Sequence, residues 1–196
     1  MALTVPPPRS SPEAEDWTRW YERELGWATA DGAPVRLLTG LRFDVLELPA
    51  DAGHAALRRL GPTGPVVVAG QRMGMLVAAG SADELPGLLD WLEWSGIALG
   101  LTAVGAGGRI AAPAPPGSAA GAPGAALWLR PPEPRQEIEP ALPALVGFGS
   151  IGNKNGNVPD LARLVDVAAT ECHRARLTRA RAGPAGWATA QPLAFS

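Results

Sequence analysis

The chain has 196 residues, 46% of them hydrophobic and 18% charged, with a formal net charge of -2 and a pI near 5.7. That is enough apolar material for one sizeable core and short for two, and it excludes a global basic field, so any contact with nucleic acid needs a local patch. A single cysteine, Cys172, and two separated histidines, His54 and His173, exclude an intramolecular disulfide and a cysteine-based zinc cluster.

The cysteine usage fits a reducing cytoplasm. The opening "MALTVPPPRSSPEAED" has neither the basic start nor the apolar stretch of a signal peptide, and no apolar run approaches a membrane span, so a soluble cytoplasmic protein without a membrane partner is expected. Nearly all basic residues are arginine, Lys154 being the only lysine.

In chain order, residues 1–12 are rich in Pro and Ser and read as a disordered arm. From Glu13 the pattern turns helical, with Trp17, Trp20, Tyr21 and Leu25 recurring at spacings of three and four until Gly26. "PVRLL" predicts a strand and "TG" a turn. "LRFDVLELP", residues 41–49, is an apolar run whose only acids are Asp44 and Glu47. On a regular strand Phe43, Val45 and Glu47 share one face, and Asp44, Leu46 and Leu48 the other, so the two acids leave opposite sides. "ADAGHAALRRL" reads as a short helix closed by Gly61, with His54 on its solvent side.

"GPVVVAG" and "MGMLVAAG" are expected strands. Ser81 and Glu84 have the spacing of a capping box, and Leu85, Leu88, Leu89 and Leu92 form one apolar stripe, widened by Trp91 and Trp94. Pro86 disturbs that helix near its start. A Gly-rich turn, "GAGGRI", and a short strand precede a Pro/Gly/Ala loop at about 113–124, expected to be a flap or surface excursion, and a last strand at Leu127–Arg130.

Residues 131–157 read as a linker around the short apolar run "ALVGF". Within it "GFGSIGNKNGN" has Gly147 and Gly152 at the spacing of a phosphate-binding loop but Asn153 in place of the lysine, so a flexible Gly/Asn segment is expected. Pro159 and Asp160 open a helix within 158–182 whose Leu161, Leu164, Val165, Ala168 and Cys172 share a face. Cys172 and His173 are adjacent and point to different faces, which argues against a Cys-His catalytic pair. The helix ends in the chain's densest basic cluster, Arg174, Arg176, Arg179 and Arg181, a candidate contact for nucleic-acid phosphates as well as a favourable charge for a helix C-terminus. Residues 183–196 read as a loose tail.

The order "YERELGW", "PVRLLTG", "FDVLEL", "GAGGRI" resembles the bifunctional DNA primase/polymerase N-terminal domain, or Prim-Pol, of the archaeo-eukaryotic primase superfamily, over about residues 17–130. The resemblance implies an α/β fold with a mixed or antiparallel central sheet and flanking helices, here followed by a linker and one C-terminal helix. It also implies a strand with two metal-binding acids one residue apart and a Gly-rich turn whose histidine contacts the incoming nucleotide. Two acids so placed share divalent cations with nucleotide phosphates, which stabilise in-line displacement. Laid on this pattern, Glu47 takes the first acid position, but Pro49 stands at the second and Ile110 at the histidine; Asp44 and Glu47 are thus relict candidates, with no metal site and no cofactor expected. No later acid on an expected strand supplies a third ligand, leaving Asp90 and Glu93 on the preceding helix as the nearest substitutes.

Gly105, Gly107, Gly108 and Arg109 are the candidate nucleotide-binding set, through backbone amides and one guanidinium. The leading expectation is a catalytically degenerate Prim-Pol-like domain that binds a nucleotide or DNA, or regulates a protein partner. A second is an active primase/polymerase in DNA replication, using Mg or Mn, in which a strand bulge re-aims Asp44 toward Glu47. A third is an interaction module whose C-terminal helix docks on another protein.

Overall fold

The computed structural model describes residues 12–118, 124–145 and 160–182. The protein is mixed α/β, with two antiparallel sheets and four α-helices among the described residues. Helix α1 (Pro12–Trp20) runs into a π-helical turn, Tyr21–Leu25, which Gly26 ends in the left-handed conformation at φ 66°. Strands β1 (Thr29–Ala30) and β2 (Arg36–Leu38) lead to β3 (Phe43–Pro49), which passes directly into α2 (Ala50–Leu60). The hairpin β4 (Val66–Ala69) and β5 (Arg72–Ala78) precedes α3 (Ser81–Trp91). After it come β6 (Thr102–Val104), β7 (Arg109–Ala111) and β8 (Leu127–Arg130), a short 3-10 turn (Glu139–Ala141), and α4 (Leu161–Ala182).

The strands do not form one central sheet. Five make a sheet of order β6-β3-β5-β4-β8, and β1, β2 and β7 make a second of order β1-β2-β7. The chain crosses between them at the "TG" turn and at the Gly-rich turn.

The larger sheet is covered on both faces. Alternation along β3 sends Leu46 and Leu48 to one side, where they meet α2, α3 and α4, and Phe43 and Val45 to the other, where they meet Tyr21, Trp27, Val35, Leu37 and Ile110. The aromatic sequence at the N-terminus is therefore core: Tyr21 and Trp27 are buried, and Trp27 packs on Phe43 with ring centroids 4.6 Å apart. The Tyr21 hydroxyl donates to the Pro113 carbonyl (2.6 Å) and accepts from Trp128 Nε1 (3.1 Å), so the aromatic cluster ties both the start of the Pro-rich loop and strand β8 to the core. Burial drives its phenol pKa up, opposed only by the Trp128 hydrogen bond.

Four sequence expectations are corrected here. The capping box of Ser81 and Glu84 does not form: Gly80 is the N-cap, at φ 90°, and no side chain caps from within the segment. Trp91 does not widen the buried stripe but is 72% exposed, whereas Trp94 packs against the helix-side core.

Residues 131–145 are no linker. Ile138 and Leu142 are buried in the aromatic cluster, Arg135 pairs with Glu24 (2.9 Å), and Arg42 Nη2 bonds Glu139 Oε2 (3.1 Å). Pro-rich composition hid two anchoring apolar residues spaced four apart. Finally, α4 is no peripheral appendage. Leu161, Leu164, Val165, Ala168, Ala169 and Cys172 are all buried against α2, α3 and the sheet, so the apolar face is already occupied within the protein. As expected, Asp160 opens this helix, its Oδ1 accepting from the Arg163 amide at 2.7 Å.

The expected arm at 1–11, residues 119–123 of the Pro/Gly loop, the Gly147–Asn153 segment and the tail at 183–196 lie outside the described residues. Among the described residues no helix is long and apolar enough to cross a membrane.

Candidate functional site

The strand that carries both acids is regular. Its pairing with β5 runs unbroken from Phe43↔Ala78 to Pro49↔Arg72, so the bulge that would bring Asp44 to Glu47 is not there. The two carboxylates leave opposite faces of the sheet, as strand geometry requires.

Asp44 is 1% exposed on the helix side. Its Oδ2 accepts the amide of Ala82 (2.9 Å), in the first turn of α3. It thus does for this helix what the expected Ser81 cap does not, placing a negative charge at the positive end of the helix dipole. Its Oδ1 is buried without a hydrogen-bond partner. Asp44 therefore serves as a capping group for a helix 38 residues away in the chain, and the pairing with Glu47 that the second expectation required does not occur.

The Gly-rich turn packs against the same corner. A Cβ on Gly105 would stand 2.6 Å from Ala82 Cβ and 3.4 Å from Asp44 Oδ2. Thr39, 2% exposed, donates its hydroxyl to the Gly105 carbonyl (2.6 Å) and its amide to the Gly108 carbonyl (3.1 Å). The Gly108 amide is spent on the Gly105 carbonyl (3.0 Å), and Gly107 has φ 75°. On the other side, Gly40 sits so close to Ala106 that a Cβ there would come within 2.6 Å of the Ala106 nitrogen. Close packing and a left-handed turn thus account for Gly105, Gly107 and Gly108, and Gly108 has no amide left for a phosphate; the Thr-Gly pair and the Gly-rich turn interlock to join the two sheets.

Arg109 and Ile110, which follow that turn, come to a different place. With Glu47 they line a cleft of about 270 Å³ between the two sheets, which also includes Val67, Ala69, Arg72, Gly74, Ala111 and Ala126. Residues 47 and 110, remote in sequence, thus share one side of the larger sheet. In the row across that sheet, Thr102, Glu47, Gly74, Val67 and Trp128 are successive cross-strand neighbours. Gly74 is closely packed at this point, since a Cβ there would lie only 2.8 Å from Val45 Cγ1 and from Val67 Cγ1.

Among the described residues Glu47 is the only carboxylate lining the cleft, which it shares with two guanidiniums, Arg72 and Arg109. Arg72 is held by the Gly100 carbonyl (2.7 Å) and by Thr102 Oγ1 (3.1 Å), with Nη2 3.7 Å from Glu47 Oε2. Arg109 is exposed and makes no hydrogen bond or ion pair among the described residues. Neither Asp90 nor Glu93 reaches the cleft; Asp90 instead accepts from Ser95 Oγ at 2.8 Å. Among the described residues no three His, Cys, Asp or Glu side chains converge in a way that could hold a metal ion.

The arginines of α4 are largely committed inside the protein. Arg174 pairs with Glu171 (2.8 Å), which also pairs with Arg59 (2.7 Å); Arg176 Nη1 donates to the Ala98 carbonyl (3.3 Å); Arg179 pairs with Asp51 (2.7 Å). Only Arg181 has no such partner among the described residues. The cluster that looked like a free basic patch therefore pins α4 to α2 and to the segment after α3; the Arg179–Asp51 pair, half-exposed at both ends, contributes at most about 1 kcal/mol, whereas Glu171 is buried beside Arg59 and Arg174.

Cys172 is buried on the apolar face as expected, and burial pushes its thiol up to about 11. His173 points away from it and packs on Trp94, ring centroids 5.7 Å apart. His54 is exposed.

Sequence reasoning missed Arg72. The signal was available: it is the one charge heading an otherwise apolar strand, and alternation puts it on the face of Gly74. No family model, curated protein or solved structure matches this chain.

Proposed function

We propose that the protein is a catalytically degenerate Prim-Pol-like domain that binds a nucleotide in the cleft between its two sheets and does not polymerise. The observation that carries this reading is the meeting of Glu47, Arg109 and Ile110 in one cleft, the place where the resemblance puts the first acid and the nucleotide-contacting histidine. A two-ion mechanism needs at least two carboxylates on that cleft to hold paired cations about 4 Å apart. Among the described residues Glu47 stands here without a second acid, since Pro49 cannot ligate and Asp44 is committed to α3 on the far side of the sheet. The remaining chemistry is recognition: cationic groups for phosphate, and small apolar side chains for a flat base or sugar.

With template, nucleotides and either magnesium or manganese, the purified protein is expected to make no primer or extension product. The same protein should bind a nucleoside triphosphate, and Arg109→Ala should weaken that binding by about tenfold, the scale of a lost charge-assisted contact. Robust synthesis abolished by Glu47→Ala would overturn the degenerate reading. Binding unaffected by Arg109→Ala would remove the cleft as the site.

A further inference from the structure

Resting on that reading, we propose that the cleft holds nucleotide phosphates through the guanidiniums of Arg72 and Arg109 and does so without a divalent cation. The first ground is position. Pro49, at the place of the second acid, has Arg72 as its cross-strand partner, so a fixed positive group stands beside the corner where a metal would need a ligand.

The second ground is preorganisation. Arg72 is already oriented by the Gly100 carbonyl and the Thr102 hydroxyl, neither of which lines the cleft. An anion arriving there meets a donor whose side-chain ordering is complete before binding. Arg109 comes from the other sheet with no partner among the described residues, free to close on the same anion.

The third ground is charge. Hard divalent cations need several oxygen ligands, and this cleft offers one carboxylate whose nearest charged neighbour is a guanidinium at 3.7 Å. A polyphosphate finds the opposite balance, two guanidiniums against one carboxylate. In this arrangement Glu47 does not help the ligand. It holds Arg72 and repels phosphate, which reverses the sign of its mutation relative to a metal-dependent site.

The test is calorimetric titration of the full chain with a nucleoside triphosphate, in EDTA and in magnesium, and separately with inorganic tripolyphosphate. The expected result is binding in EDTA as tight as in magnesium within about threefold, with Arg72→Ala and Arg109→Ala each weakening it by about tenfold. Glu47→Gln, which keeps the shape of the side chain, should tighten binding by up to about fivefold as one competing pair is removed.

Nucleotide binding that disappears in EDTA and is weakened by Glu47→Gln would overturn this inference and leave the nucleotide reading standing. Tripolyphosphate binding that depends on both arginines, with no gain from the nucleoside, would support the arginine site and overturn the nucleotide reading. No heat with either ligand, for protein whose native circular dichroism and cooperative unfolding are intact, would overturn both.

Discussion

Gly40→Ala should lower the free energy of unfolding by about 2 to 5 kcal/mol, combining the penalty for a left-handed alanine with that of forcing two backbones apart. Gly40 has φ 85°, and its added Cβ would overlap Ala106 Cα and lie 2.6 Å from Ala106 N. Those are main-chain atoms of the Gly-rich turn, so no rotamer change relieves the overlap, and the turn itself is tied to Thr39 by two hydrogen bonds. The shift of the urea midpoint measures this directly. Gly26→Ala is the control: Gly26 is left-handed, at φ 66° and ψ 26°, but the nearest atom to its added Cβ is Arg42 Nη1 at 3.9 Å, so strain acts there without overlap and the loss should be smaller. Equal losses at the two positions would mean that the Thr-Gly pair and the Gly-rich turn do not interlock.

Leu164→Ala should cost about 2 to 5 kcal/mol, the range for removing a fully buried leucine. Leu164 is 0% exposed and packs among α2, α3 and the sheet, whereas Leu177, on the same helix, is 44% exposed. Leu177→Ala should stay within about 0.5 kcal/mol, as surface changes usually do. If α4 were an appendage for docking on another protein, the two substitutions would leave the isolated chain equally stable. The comparison by urea denaturation therefore separates an integral helix from an interaction helix.

Much of the fold could be read from local patterns. The 2.0 period along "FDVLEL" placed Leu46 and Leu48 on the helix side and Glu47 opposite Asp44, and the spacing of Leu161, Leu164, Val165, Ala168 and Cys172 defined the buried face of α4. What could not be read depends on distant partners. Ser81 and Glu84 have the spacing of a cap, yet the chain supplies Asp44 from strand β3, a partner with no local signature. The assignment of β1, β2 and β7 to a separate sheet is likewise a matter of tertiary pairing, for which strands of two or three residues carry little pattern.

Composition misled in two places for the same reason: it counts residues without their neighbours. Prolines around Ile138 and Leu142 concealed core positions, and four arginines on α4 suggested a free patch until Glu171, Asp51 and the Ala98 carbonyl were found against three of them. The candidate site was legible in half. Glu47, Arg109 and Ile110 were singled out by their place in the resemblance and meet in one cleft, while Gly105, Gly107 and Gly108 are explained by packing. Arg72 escaped notice because its significance arises from its register with Pro49, which a linear motif does not express.

The shared cleft is the point on which the functional account depends, and amide chemical-shift mapping tests it without assuming any activity. On titration with a nucleoside triphosphate, the perturbed amides should cluster at Glu47, Arg72, Gly74, Arg109 and Ile110, from β3 and β5 of the larger sheet and β7 of the smaller. Perturbations centred instead on the separate hollow formed by Leu25, Trp27, Arg130 and Ile138, or on the α4 arginines, would contradict the account.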